Sequence, residues 1–595
     1  MSFLHQRGFS LLEVLIGIAL LAFLSIELYA SYVKIVEVIE ATRLKLAASA
    51  LANEQIEIAR NLSYSSVGIL GGVPAGLLTH VQTLNRGGID FTATTTVRNI
   101  DDPFDGTIGS TTKNDLAPAD YKLIAVEIGC ALCKSFFVPL TLTSTVAPRN
   151  LESASTNGAL FIKVFDATGA PVSGAAVHIE NSPAGIIIDD VTDAGGELQI
   201  VDTPPGAGVY AITVSKAGYS SEQTYPPGGF DNPNPVKPNP TVATQSLTQA
   251  SFAIDKVSTV NVTSTTNTCS AVGAIDFTLT GTRLIGTSPD IVKYSSAKVT
   301  SAGGTLTISN LEWDTYRLTP TDSAYDLAGS IPALPLILNP NTTLDLKLIV
   351  VPKNQKSLLV TVKDASTGLP ISDATVNISQ GSFSDTLTTG RGFLRQTDWS
   401  GGAGQVDFTD TTKYFSSDGN IDTGNPAGDL TLVSVFGQYQ TNGTLTSSTF
   451  DTGSPSNFAS LTWQPGSEPP ETGAQSIKFQ LASNNDKTTW SYLGPDGTAG
   501  SYYTTPDSTI SNNHNGNRYM RYKLLMNTAS TTFTPTISDV AFTFTSDCVP
   551  SGQVFFSSLA TNDYTLTITK AGYQPYSGIV TVASPWQETI ITLSP

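Results

Sequence analysis

The sequence predicts an α+β N-terminal part, a long helix followed by an antiparallel sheet, and then multiple all-β sandwich modules. Three observations carry this. A helical period of apolar residues runs over about the first sixty residues. Short β-branched stretches set between Gly, Pro, Asn and Asp fill the rest. A motif first met near residue 163 returns in two separated pieces, near residues 361 and 564. The chain of 595 residues has room for about four domains, and 40% hydrophobic content is ample for their cores. Only 14% of residues are charged, a composition suited to many short strands joined by turns.

The helix comes first. After a short leader containing Arg7, an apolar run extends from Phe9 to Leu24 and on through Tyr29 to Val33, long enough to cross a bilayer. Glu13 interrupts it. An acid in that position costs a few kcal/mol or more unless it has a partner, so it should have a function. An ordinary signal peptide would need a small-residue cleavage site, and Ala30-Ser31 with Glu27 nearby offers a poor one. A plain single-pass anchor would require neither Gly8 nor Glu13.

Gly8-Phe9-Ser10-Leu11-Leu12-Glu13 resembles the processing site of type IV prepilins and type II secretion pseudopilins. The resemblance implies cleavage after Gly8 by a prepilin peptidase, N-methylation of Phe9, and pairing of Glu13 with the N-terminal amine of a neighbouring subunit in a filament. It implies other pilin subunits, the pilus or secretion assembly machinery and the lipid bilayer as further partners. The implied location is a single-pass inner or cytoplasmic membrane protein with an extracytoplasmic C-terminal region, assembled into a cell-surface pilus.

The helical pattern continues through Ala41 to Leu62, with Leu44, Ala47, Ala48, Leu51, Ile58 and Leu62 on one expected apolar face. One helix from residue 9 to 63 would be about 80 Å long. Glycines 68, 71, 72 and 76 and Pro74 then break it. Asp90–Val97, Tyr121–Ile128 and Phe136–Val146 read as the strands of a head over 64–150. Helix plus small sheet resembles the pilin fold.

Lys163-Val-Phe-Asp-Ala-Thr-Gly matches Thr361-Val-Lys-Asp-Ala-Ser-Thr-Gly, and Tyr210-Ala-Ile-Thr-Val-Ser-Lys-Ala-Gly-Tyr219 matches Tyr564-Thr-Leu-Thr-Ile-Thr-Lys-Ala-Gly-Tyr573. The second copy is therefore interrupted. The motif resembles carboxypeptidase regulatory-like and collagen-adhesin B-type modules, β-sandwiches used as spacers in exported proteins. A looser copy between them holds Leu306 to Leu318, after a Pro-rich linker over Tyr225 to Pro240 that should be extended and semi-rigid. The expected organisation is a leader at 1–8, the helix at 9–63, the head at 64–150 and sandwiches at 156–250 and 251–352. A third sandwich is split between 356–397 and 548–595, around an insert at 398–547. The insert holds three of the five tryptophans, and its short, regularly spaced strands resemble a jelly roll of the discoidin-like or galactose-binding-like kind.

A net charge of −18 without a Lys/Arg cluster argues against nucleic acid as a ligand. The four histidines, His5, His80, His178 and His514, form no hydrolase motif, so no catalytic residue and no cofactor is expected. Cys130-Ala-Leu-Cys133 lacks further zinc ligands and follows a strand, which favours a local disulfide over metal or redox chemistry, with buried free thiols the alternative. Cys269 and Cys548 are left to pair across modules or to stay free. Asp418, Asn420, Asp422 and Asp429 resemble a calcium loop, but Thr423 stands where glycine is needed, and an ion-free turn is the favoured reading. Lys163 and Lys363 lie on first strands where some adhesin modules form Lys–Asn isopeptide bonds, though spacing identifies no partner Asn. The function expected is a non-enzymatic minor or tip type IV pilin whose β-modules serve surface interaction or adhesion through a glycan or protein ligand. The alternatives are a type II secretion pseudopilin and a membrane-anchored carbohydrate-binding surface protein.

Overall fold

In the computed structural model the described residues are 11–131, 133, 137–148, 154–400, 413–465 and 468–595. Helix α1 spans Leu11–Arg60, 50 residues and about 75 Å. Four antiparallel strands follow in the order β1 (Val81–Arg86), β2 (Ile89–Ile100), β3 (Tyr121–Gly129) and β4 (Leu140–Val146). β2 alternates buried and half-buried residues along its length, as a strand covered on one face must.

Composition alone does not predict β1, because Val81-Gln-Thr-Leu-Asn-Arg86 is mostly polar. The signal is the turn after it, where Gly87 and Gly88 both take positive φ and close a two-residue hairpin. β4 starts at Leu140 and not at Phe136, which lies outside the described residues. Pro139 has no N–H to give to a ladder, so the strand begins after it.

The helix buries Leu44, Ala48, Leu51, Ala52, Ile56 and Ala59 against Phe91, Ala93, Val97, Ile124, Val126 and Ile128. Ile58, expected on that face, is 47% exposed. A seven-residue spacing slips about 20° per repeat on a helix of 3.6 residues per turn. Over Leu44, Leu51 and Ile58 this carries the last residue off the contact, and Ile56 takes the inward place.

The three sandwiches share one topological device. In each, the first strand pairs in parallel with the last: Gly158–Phe165 with Leu247–Ala253, Ser258–Thr265 with Thr343–Pro352, and Lys356–Asp364 with Trp586–Leu593. Each also buries a tyrosine whose hydroxyl donates to a carbonyl a few residues upstream: Tyr210 to Pro204, Tyr316 to Glu312 and Tyr564 to Ala560. In the first and third, a buried threonine hydroxyl ties two turns together. Thr192 accepts from the Ala175 N–H and donates to the Val172 carbonyl, as Thr389 does with Ala374 and Ile371.

Two compact units result, one of residues 1–256 with 284–291 and one of 257–283 with 292–595. The Pro-rich linker belongs to the first and is more than a bare spacer. Asn239 N–H donates to the Tyr225 carbonyl, Val236 N–H to Ile285 and Thr287 N–H to Asn234. Proline removes donors, and these amides are satisfied locally.

The insert builds two sheets that share the 15-residue strand Phe450–Gln464, with a register shift between Asp451 and Ser456 where it passes from one sheet to the other. Its core holds Trp399, Phe450, Trp463, Phe479, Tyr522, Phe542 and Phe544. The Trp399 indole N–H donates to the Tyr522 hydroxyl at 2.6 Å, which donates to Gln396 at 2.8 Å, so the polar atoms of Trp399 and Tyr522 are paired. Phe542 is fully buried and stacks edge-on with Phe450 at 4.9 Å. Phe542→Ala should lower the stability of the insert by about 3–5 kcal/mol. Calorimetry should show that transition moving down while the sandwich transitions stay in place.

Candidate functional site

Helix α1 divides near Ala41. Beyond that point it is bound to the head sheet, whereas the residues before it carry exposed apolar side chains, among them Leu15, Ile18, Leu21, Phe23 and Leu28. Among the described residues it is the helix long and apolar enough to cross a membrane. Gly8 and Phe9 lie outside the described residues, and Glu13 lies in the first turn of α1, its side chain likewise outside what is described.

Cys130 and Cys133 form a disulfide that closes the turn after β3, with the Cys133 N–H donating to the Cys130 carbonyl. The two cysteines pack against the edge of the head core. Cys269 and Cys548 form a second disulfide across 279 residues of sequence.

The acids of the suspected calcium loop are engaged in turn geometry. Asp418 accepts from the N–H groups of Asn420 and Thr444, and Asp422 from those of Gly424 and Asn425. The Asp429 N–H donates to the Pro426 carbonyl. Lys163 pairs with Glu197 at 3.2 Å, and Lys363 donates to the Leu334 carbonyl at 3.1 Å.

Sequence reasoning passes over a different set of acids, in the head loop between β2 and β3. Among the described residues, the carboxylates of Asp105, Asp115 and Asp120 gather within 4.8 Å of one another. Asp101 adjoins them and accepts from the Ile108 N–H at 2.9 Å. Burial pushes the Asp101 carboxyl up to about 6, and the nearby charges of Asp115, Asp120 and Asp105 push in the same direction. The density of Asp between residues 101 and 120 is the available signal, but only folding shows which of these acids meet.

The three histidines within the described residues are each tied to a separate local partner. His80 Nδ1 lies 3.0 Å from the Thr95 carbonyl, and His178 Nδ1 lies 2.6 Å from Asp189. His514 is buried beside the Ser483 hydroxyl at 2.9 Å, and burial lowers its pKa to about 4.

Comparison with protein families matches the prokaryotic N-terminal methylation motif to residues 4–26. The chain carries a prepilin-type N-terminal segment. A carboxypeptidase regulatory-like domain matches residues 159–265, covering the first sandwich and the opening strand of the second. A comparison with curated proteins found no match. Among solved structures, the TIE protein of Bacillus anthracis is 13% identical over 52% of this chain, with a TM-score of 0.15, and the match spans 66% of its own length. The minor pilin of Streptococcus agalactiae is 12% identical, covering 33% of this chain and 98% of that one, with a TM-score of 0.16. The major pilin subunit of Bacillus cereus is 9% identical, covering 57% and 99%, with a TM-score of 0.20. Scores this low carry no argument about this chain. The prepilin-type segment is continuous with α1, and the β-modules all follow it.

The Asp101 environment has a pH consequence. Its folded pKa lies above the unfolded value of about 4, so its contribution to stability is full below pH 4 and is lost as pH rises through about 6. Asp101→Asn should flatten the fall in head stability between about pH 4 and pH 6. Melting curves of both proteins across that range would reveal the difference.

Proposed function

We propose that the protein is a non-enzymatic minor or tip subunit of a type IV filament that displays its β-modules for surface adhesion. The observation that carries this is the methylation motif at residues 4–26 running directly into a helix whose first half is uncovered and apolar. A hydrophobic helix of this kind is stable in a bilayer or among like helices in a filament core. In this reading prepilin peptidase cuts after Gly8, Phe9 becomes the methylated N-terminus, and Glu13 pairs with the amine of a neighbouring subunit. The body that follows the head, from Gly158 onward, favours a sparse or terminal position over a place in a densely packed shaft or a compact secretion pseudopilus.

N-terminal sequencing and intact mass of protein from cells with and without the peptidase test this. The expected mature chain begins at N-methylated Phe9 only when the peptidase is present, and a chain beginning at Met1 in both would overturn the reading. Glu13→Gln should leave export and the β-modules intact while removing the protein from sheared filaments.

The insert is the module in which we place ligand recognition. On the strand Asn517–Asn527, half-buried Tyr519 and Lys523 flank the buried run Met520, Arg521 and Tyr522. The rings of Phe415 and Trp490 lie 4.0 and 4.4 Å from the Arg521 guanidinium, and Phe415 remains 61% exposed. Flat rings beside hydrogen-bonding groups suit a sugar ligand. A glycan array probed with the full-length protein should show binding that Phe415→Ala weakens at least tenfold. An array with no binding would leave the insert a spacer.

A further inference from the structure

By chain order the insert hangs from the split third sandwich. The second disulfide gives it another and shorter attachment. Only Ser546 and Asp547 separate its last strand, Asp539–Thr545, from Cys548. Cys548 is bonded to Cys269, which sits in the turn that follows the first strand of the second sandwich, Ser258–Thr265.

The surroundings of this bond are closely fitted. Gly453 of the insert lies against the Thr268 carbonyl so tightly that no Cβ could be accommodated, and its φ of +78° also favours glycine. The Cys269 sulfur is 3.6 Å from the Ser454 hydroxyl. Lys347, on the last strand of the second sandwich, donates to the Asp547 carbonyl at 2.9 Å. Cys548 is 1% exposed and Cys269 is half-buried, so Cys269 is the side of the bond open to an added thiol.

We propose that the Cys269–Cys548 bond makes the insert a force-carrying extension of the second sandwich, so that tension on the insert bypasses the split sandwich around it. The load line runs from the N-terminal side through Ser258–Thr265, across the disulfide and into the insert at Thr545. Ser258–Thr265 is already extended at about 3.3 Å per residue, close to the reach of the chain, so tension along it finds almost no slack. Its hydrogen-bonded neighbours Thr305–Leu311 and Thr343–Pro352 hold it in register on both sides. The strands of the split sandwich lie outside this line. The need for such a path rests on the adhesive filament reading, but the path itself is a property of the fold.

The test is single-molecule pulling on full-length protein in detergent, held at its N-terminus and at a tag inserted in the exposed turn at Gly500. With the disulfide intact, the segment between Cys269 and the insert is withheld from extension. Reductant should release about 180 further residues, roughly 600 Å of contour at 3.3–3.6 Å each, and the split sandwich should then unfold in the record. The paired substitutions Cys269→Ser and Cys548→Ser should reproduce the reduced trace. If they prevent folding, reductant added to the native protein supplies the same comparison. Equal maximal extension with and without reductant would overturn the proposal. A disulfide-dependent record from a protein whose mature N-terminus is uncut would overturn the filament reading alone.

Discussion

The parallel pairing of first strand with last is the constraint on which the body of this protein depends. A parallel neighbour cannot be supplied by a tight hairpin, so each sandwich must complete its whole circuit before its sheet can close. In the third sandwich the pair Lys356–Asp364 and Trp586–Leu593 encloses the insert, and the same closure holds with all of that chain between. Loop closure costs grow only slowly with length. The insert also brings its own ends together, because Gly392–Gln396 pairs antiparallel with Asp539–Thr545. A module with adjacent ends can occupy a loop without pulling its host apart.

Smaller devices repeat in the same way. The threonine that ties two turns, and the buried tyrosine that donates to an upstream carbonyl, recur at matching places in the sandwiches. Each satisfies backbone groups that a turn would otherwise leave buried and unpaired. The middle sandwich lacks the Lys-Ala-Gly-Tyr ending of the other two but makes the same hydrogen bond, from the Tyr316 hydroxyl to the Glu312 carbonyl. Aspartates at the turns add to this. Asp364 accepts from Ser366, Thr367 and Tyr573, and these hydrogen bonds hold its carboxyl well below the usual range.

Helix α1 serves two environments with one continuous backbone. Its second half is paired with the head sheet through small and branched residues, with Ala48, Ala52 and Ala59 fully buried at the contact. Alanines let the helix approach the sheet closely, while Leu51 and Ile56 fill the space between strands. Its first half has no such partner within the described residues. A helix apolar on every side is stable only where lipid or other helices surround it, which joins the methylation motif to the same physical conclusion.

Much of this protein was legible in sequence because the signals are local. Gly8, Phe9 and Glu13 stand in a register that depends on nothing distant, the helical period extends over fifty residues, and the matching Asp-Ala-Thr-Gly and Asp-Ala-Ser-Thr-Gly segments and the repeated Lys-Ala-Gly-Tyr mark turns by their own chemistry. The alternation of β2 likewise follows from one covered face. What tertiary structure alone decided is everything that joins residues far apart. Cys269 and Cys548 are separated by 279 positions, and no spacing rule connects them. The meeting of Asp105, Asp115 and Asp120 was set by the path of a loop. Local propensity is written in neighbouring residues, whereas the choice among distant partners is made only when the cores close.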